Sequence, residues 1–517
     1  MVDAGVLNAD ELPIGTPEHR FCRYVRGGSG SSGPLFPREG APGPLELALD
    51  VATLPERLLE DDDFMYALQR PDVSVQLIHF ESEGEVPVVR AWKAALPDSD
   101  VAVIGFESVE RASTMGDSVE FWVETFHKGE RRSVHRANFF PVYVDLDIAA
   151  GIGEPIPKGL RVRSAALAAA CARSVHAIVS TMATVGRPDV AENDWIALCD
   201  PDGAVSLIGH YLRMSGSRRI WVTPDGRKKV GMQSLVGLYS TCIEVKIPFL
   251  RLMNQVAAFK FQDQEVVTAT RTVDARLQRA ARAVDDLLRA LSRIEKGRLD
   301  EDSEEEISEA FDRELLYLIA AVDTLGRMHE RCINTEVSKP RSSLHSGATF
   351  KKLVDPYYPD TPELAKLHDL QLLMYFANQL RNYIHATRID AAHAYTRDYG
   401  SGRTAVINIE SLPSTLNHAH RLGIWRAARD PLSSGPDPVV ADLATMATAL
   451  LESAYEFVDL YCFMVLKEVP AGAPAPAPIL TAPMIVDGAL TSRRVDQWIG
   501  RLFGWNVPEL VPSVIVD

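Results

Sequence analysis

The run Gln379-Leu380-Arg381-Asn382-Tyr383-Ile384-His385-Ala386-Thr387-Arg388-Ile389-Asp390-Ala391-Ala392-His393 gathers cations and imidazoles into one short stretch. Histidine titrates near neutrality and can act as base or acid. Arginine stays charged and grips phosphate through two parallel N–H groups. On a helix, residues four apart share a face, so Arg381 and His385 would point together, and Arg388 would extend the same stripe. Cleaving RNA without a metal needs three things: a 2′-hydroxyl made nucleophilic, a cation over the phosphate, and a proton for the leaving oxygen. Arg381 and His385 are the candidate catalytic pair, with Asn382, Arg388 and His393 as candidate phosphate-binding residues. A second placement pairs Arg388 with His393. The plain alternative is a positively charged helix end, favoured by the helix dipole by about 0.3–1 kcal/mol per cation.

Other polar constellations carry less. Arg341-Ser342-Ser343-Leu344-His345 repeats the Arg-to-His spacing in an expected loop and shows how readily it arises by chance. His418-Ala419-His420-Arg421 has no carboxylate or thiol close by in sequence, so it reads as a loop or helix start rather than a metal site. Arg218-Arg219 and Arg227-Lys228-Lys229 flank Trp221, a basic and aromatic patch of the kind that meets nucleic acid. An exposed hairpin tip guarded by charge looks the same and is the preferred reading.

The elements that must position these groups change character along the chain. Residues 1–45 read as irregular. Residues 46–255 are strand-rich and read as an α+β domain of unknown role. Val73 to Phe80, Val101 to Phe106, Val119 to Phe126 and Phe139 to Val144 are β-branched or aromatic runs between turn residues. Their spacing suggests an antiparallel sheet without regular βαβ alternation. Arg163 to Thr184 is Ala-rich and reads as a buried helix. Pro224-Asp225-Gly226 between strand-like flanks signals a hairpin.

From about 256 the periodicity becomes helical. Val273, Leu277, Ala280, Val284, Leu287, Leu291 and Ile294 recur at three- and four-residue steps and define a long amphipathic helix within 256–300. The acidic run from Asp300 to Glu306 reads as a solvated link in which Ser303 caps the next helix. Ile307 to Ile333, Thr361 to Ile389 and Val439 to Val469 are further helices within a bundle spanning 301–470, with Ser338 to Asp360 a loop. Residues 471–484 are an Ala/Pro linker, and 485–517 form a tail with a short helix near Ser492 to Phe503. The expected fold class is α+β: a strand-rich N-terminal region followed by a mainly α-helical bundle.

A helical bundle whose third helix ends in Arg-Asn with a nearby His resembles the HEPN superfamily of nucleotide-binding or RNA-cleaving domains, common in bacterial toxin and antiviral systems. The resemblance covers about Ile307 to Val469, roughly a third of the chain. The family pattern is Arg, four to six residues of which the first is often polar, then His. Arg381 and His385 supply the polar neighbour Asn382 but only a three-residue gap. Arg388 and His393 supply the four-residue gap but place Ile389 at the polar position. The resemblance implies a site shared between two copies, and hence a homo-oligomer acting on RNA. It implies no cofactor.

Composition limits the alternatives. The formal net charge of −16 argues against a wholesale electrostatic grip on nucleic acid and leaves room for a local basic patch. The six cysteines are scattered with no C-x-x-C pair, which fits reduced thiols and a cytoplasmic location. No apolar stretch is long enough to span a bilayer, and the N-terminus lacks the basic start and apolar core of a secretion signal. Gly28-Ser29-Gly30-Ser31-Ser32-Gly33 matches a dinucleotide fingerprint in letters alone, because Pro34, Pro37, Pro42 and Pro44 forbid the helix that must follow. A non-catalytic interaction or assembly protein, with a protein partner on the N-terminal domain and subunit contacts through the helices and tail, is the competing reading.

Overall fold

The computed structural model describes residues 29–31, 33–83, 87–106, 118–139, 158–172, 174–181, 197–216, 221–222, 229–230, 235–258, 264–293, 301–333, 343–355, 362–386, 394–395, 404–408, 440–467 and 500–504. Their architecture is α+β, with a mixed sheet in the N-terminal region and a mostly helical C-terminal part. Seven strands form the sheet: β1 (Leu45–Asp50), β2 (Val73–Phe80), β3 (Asp100–Phe106), β4 (Val119–His127), β5 (Glu130–Phe139), β6 (Ala177–Val179) and β7 (Ala197–Cys199). Their spatial order is β5-β4-β3-β2-β1-β6-β7.

Strands β3, β2, β1, β6 and β7 run parallel, and only β4 and β5 join antiparallel. This corrects the expectation of an antiparallel sheet. The inner order is that of a doubly wound sheet, with the reversal of winding between β1 and β6. Both faces are covered, so the inner strands read as nearly continuous apolar runs. In β1, Leu45, Leu47 and Leu49 enter one core while Ala48 enters the other. In β2, Val75 and Leu77 oppose Ile78 and Phe80 in the same way.

Helices α1 (Asp62–Leu68), α2 (Pro87–Ala95) and α4 (Pro201–Met214) contribute to the larger core, and α3 (Lys158–Cys171) covers the opposite face. Helix α3 ends at Cys171, well short of the expected Thr184, because the chain then enters β6. The β4–β5 turn places both Lys128 and Gly129 at positive φ, 48° and 86°, the conformation of a tight primed hairpin turn. The short hairpin pairing Trp221–Val222 with Lys229–Val230 is as expected, and its turn lies outside the described residues.

The helical part comprises α5 (Leu235–Lys246), α6 (Pro248–Val256), α7 (Gln264–Leu291), α8 (Glu301–Ile333), α9 (Gly347–Leu353), α10 (Pro362–Ala386) and α11 (Leu443–Lys467). Helix α7 packs antiparallel on α8: Arg293 pairs with Glu306, Arg313 with Asp286, and Arg276 with Ala320. Ser303 does not cap α8. It lies in the first turn, buried, and accepts a hydrogen bond from Arg38. The expected 338–360 loop contains α9. Among the described residues, no helix is long and apolar enough to cross a membrane.

The apolar core runs without a break from the sheet into the bundle, and Leu502 and Phe503 of the C-terminal segment belong to it. A buried polar hub joins these parts. Asp285 of α7 accepts from Arg213 Nη2 (2.8 Å), His210 Nδ1 (2.8 Å) and Tyr239 Oη (2.6 Å). Burial raises the Asp285 carboxyl, but the charge of Arg213 and the hydrogen bonds of His210 and Arg213 outweigh it and hold the group well below the carboxylate range. Arg213 also donates to the Leu502 carbonyl (2.8 Å) and lies 3.8 Å above the Phe503 ring. Arg501 clamps Asp61, the N-cap of α1, through both carboxylate oxygens at 2.8 Å.

Candidate anion-binding site at the end of the helical bundle

Helix α8 turns Phe311, Leu315, Leu318, Ile319, Val322 and Leu325 into the core. That orientation leaves Asp323 and Arg327, four residues apart, on one flank. Helix α7 places Arg276 and Arg279 beside that flank by the same three-to-four-residue rule. Arg276 reaches across to donate to the Ala320 carbonyl and the Thr324 hydroxyl. Helix α10 brings Arg381 to the same place near its C-terminal end.

Asp323 is the meeting point. Ser343 Oγ donates to its Oδ1 at 2.7 Å, and His345 Nδ1 lies 3.3 Å from the same oxygen. That 3.3 Å contact is within ion-pair reach but is not a well-aligned hydrogen bond, since Nδ1 is enclosed with no partner of good geometry. Burial raises the Asp323 carboxyl. The adjacent His345 imidazole, the Ser343 hydroxyl and the charge of Arg381 more than offset it, so the group sits below the usual carboxylate range.

The arginines outnumber this carboxylate. Arg276 is held below the ordinary arginine range, first by burial and then by the charge of Arg327. Asp323 pulls the other way, and Arg279 adds further repulsion. Burial is the first cause of that shift, and the like charges of Arg327 and Arg279 add to it. Arg381 joins this group: its Nε is enclosed and has no hydrogen-bond partner among the described residues. A bound anion would relieve the like-charge repulsion and could satisfy a guanidinium donor.

The sequence candidates fall unevenly on this geometry. Arg381 is half-buried and acts on Asp323, whereas Asn382 beside it is exposed. His385 lies on α10 one turn beyond Arg381, and its side chain is outside the described residues. Arg388 and His393, the second placement, are outside them too, as are His418, His420, Arg218, Arg219, Arg227 and Lys228. Sequence reasoning missed Asp323, Arg276 and Arg327, and it set His345 aside. The signal for Asp323 was faint: a carboxylate on the flank of an otherwise apolar helical face.

A second polar cluster occupies the carboxyl ends of β1 and β6, the position where open α/β sheets usually bind ligands. Asp50 ends β1 and is fully buried. Its oxygens take both Nη atoms of Arg163 at 2.9 and 2.7 Å, and Ser180 Oγ at 3.1 Å. Arg163 Nε donates to Glu83 at 2.8 Å. The crevice is thus closed by an ion-pair network of the chain's own residues. No group of three or more His, Cys, Asp and Glu side chains forms a metal-binding cluster among the described residues. Comparison with protein-family models, with curated proteins and with solved structures returns no match.

Proposed function

We propose that the chain is a HEPN-like protein whose bundle binds the phosphates of RNA, and that it acts as a metal-independent endoribonuclease effector in a bacterial toxin or antiviral defence setting. In this reading the protein is cytoplasmic, two copies share the site, Arg381 holds the scissile phosphate and His385 is the acid/base group. Asn382, Arg388 and His393 extend the phosphate contacts. The observation that carries the reading is the gathering of arginines around Asp323, where Arg276 is held low by burial and then by the charges of Arg327 and Arg279, and Arg381 keeps an unsatisfied Nε. The repulsion between these arginines is local, and a bound phosphate would offset it.

The test is incubation of purified protein with labelled structured and unstructured RNAs in EDTA, beside Arg381→Ala and His385→Ala. Cleavage by the wild type that both substitutions abolish supports the reading. An inert wild type that also fails to retain RNA in a filter-binding assay refutes it and leaves the non-catalytic assembly protein as the better description.

A further inference from the structure

His345 lies outside the Arg–His motif of α10, yet it is the described histidine that shares Asp323 with Arg381. The segment that carries it is tied down on two sides. Ser343 binds Asp323, and the His345 carbonyl accepts from Gln371 of α10. Of the charged groups packed against this point, Asp323 comes from α8 and Arg381 from α10.

The two ring nitrogens are not equivalent. Nδ1 is enclosed and faces Asp323, while 13% of the side chain remains open to solvent. A carboxylate 3.3 Å from Nδ1 holds the ring facing α8 and favours the tautomer with its proton on that nitrogen. Nε2 is then the nitrogen left to exchange a proton. Asp323 also draws in the Arg381 charge, so the imidazole and the phosphate-binding guanidinium are organised by one carboxylate.

Building on the proposed function, we infer that His345, oriented by Asp323, is a general base of the same site. The step balances without any further reactant. The RNA 2′-oxygen attacks the adjacent phosphorus, and the O2′–P bond forms as the P–O5′ bond breaks. The hydroxyl proton passes to His345 Nε2, and the leaving 5′-oxygen takes a proton from the general acid, His385 in the proposed function. The products are a cyclic phosphate and a 5′-hydroxyl. Asp323 is a positioning residue, since it acts through the imidazole.

The experiment uses the full chain and the RNA substrates already described. His345→Gln should lower the cleavage rate by on the order of 100-fold, the lower end for removing a general base. RNA binding by anisotropy should stay within about threefold, since the proton exchange, not the phosphate grip, is removed. Asp323→Asn should slow cleavage in the wild-type background and change little in the His345→Gln background, because Asp323 acts through the imidazole. His345→Gly should regain activity with added imidazole, a readout that a structural role would not move and that keeps the test meaningful if the Gln variant loosens the segment. Wild-type cleavage that persists in His345→Gln overturns the inference and leaves the proposed function standing. Loss of cleavage in His345→Gly without imidazole rescue, in a variant that still melts like the wild type, also overturns it. A wild type that cleaves nothing and binds no RNA overturns both.

Discussion

Asp459 of α11 offers a quantitative test of how the bundle is assembled. Its Oδ1 accepts from the Phe249 backbone N–H at 2.9 Å, satisfying a first-turn donor of α6. Burial pushes its carboxyl up to about 7, against the pull of that hydrogen bond and of Lys246 and with a further push from Glu456. The folded state therefore keeps a proton that the unfolded chain releases near pH 4. Between pH 4 and 7 the folded state binds more protons, so stability falls as pH rises through that window and then levels off. At about 1.4 kcal/mol per pH unit, the cost is about 1.5 kcal/mol at pH 5 and about 4 kcal/mol at pH 7 and above. Asp459→Asn keeps an oxygen acceptor for Phe249 and removes the ionisation. Its stability relative to wild type should therefore improve by about 2.5 kcal/mol between pH 5 and pH 8. For a chain of 517 residues unfolding as a unit, that is a relative gain of roughly 2 °C in Tm. Scanning calorimetry of both proteins at the two pH values measures it. A Tm difference that does not change with pH refutes the argument.

Asp285→Asn should cost about 3–5 kcal/mol, because it strands the buried Arg213 guanidinium without its counter-charge, and thermal melts would show it. The stabilisation from the lowered Asp285 carboxyl is present above about pH 4 and fades as pH falls below it, so the wild type should lose more Tm than the variant on acidification. Gly209→Ala should displace residues 500–504, since an added Cβ would collide with the Leu502 carbonyl. The expected cost is about 1–3 kcal/mol, with faster proteolysis of the C-terminal tail as the readout. Arg276→Gln should weaken RNA binding across sequences and reduce the slope of log affinity against log salt by about one.

The helices were legible in the sequence because their periodicity is local. The step pattern from Val273 to Leu291 marks α7, and α10 and α11 end within a few residues of their expected bounds, whereas α8 begins at Glu301 and takes in the acidic run expected as a link. Strand direction was not legible. Parallel neighbours such as β1 and β6 are brought together from 47 and 177, and no turn between them states their polarity. Strands β6 and β7 are three residues each, too short to show a period. The candidate site was half legible. Arg381 declares itself through its neighbours in the chain, but Asp323 and His345 join it through the packing of α8 on α10, which no local pattern encodes.

The place taken by residues 500–504 also orders events during synthesis. The surface around Gly209, Arg213 and Tyr239 is completed by Leu502 and Phe503, and Leu502 lies 289 residues beyond Arg213 in the chain. A ribosome that has made every strand of the sheet still withholds the residues that seal it. Until residues 500–504 follow, an apolar groove next to a buried charge cluster stays open to chaperones and to other nascent chains. Any chain terminated before residue 500 would carry that groove permanently, and quality control would meet it as an unfinished protein.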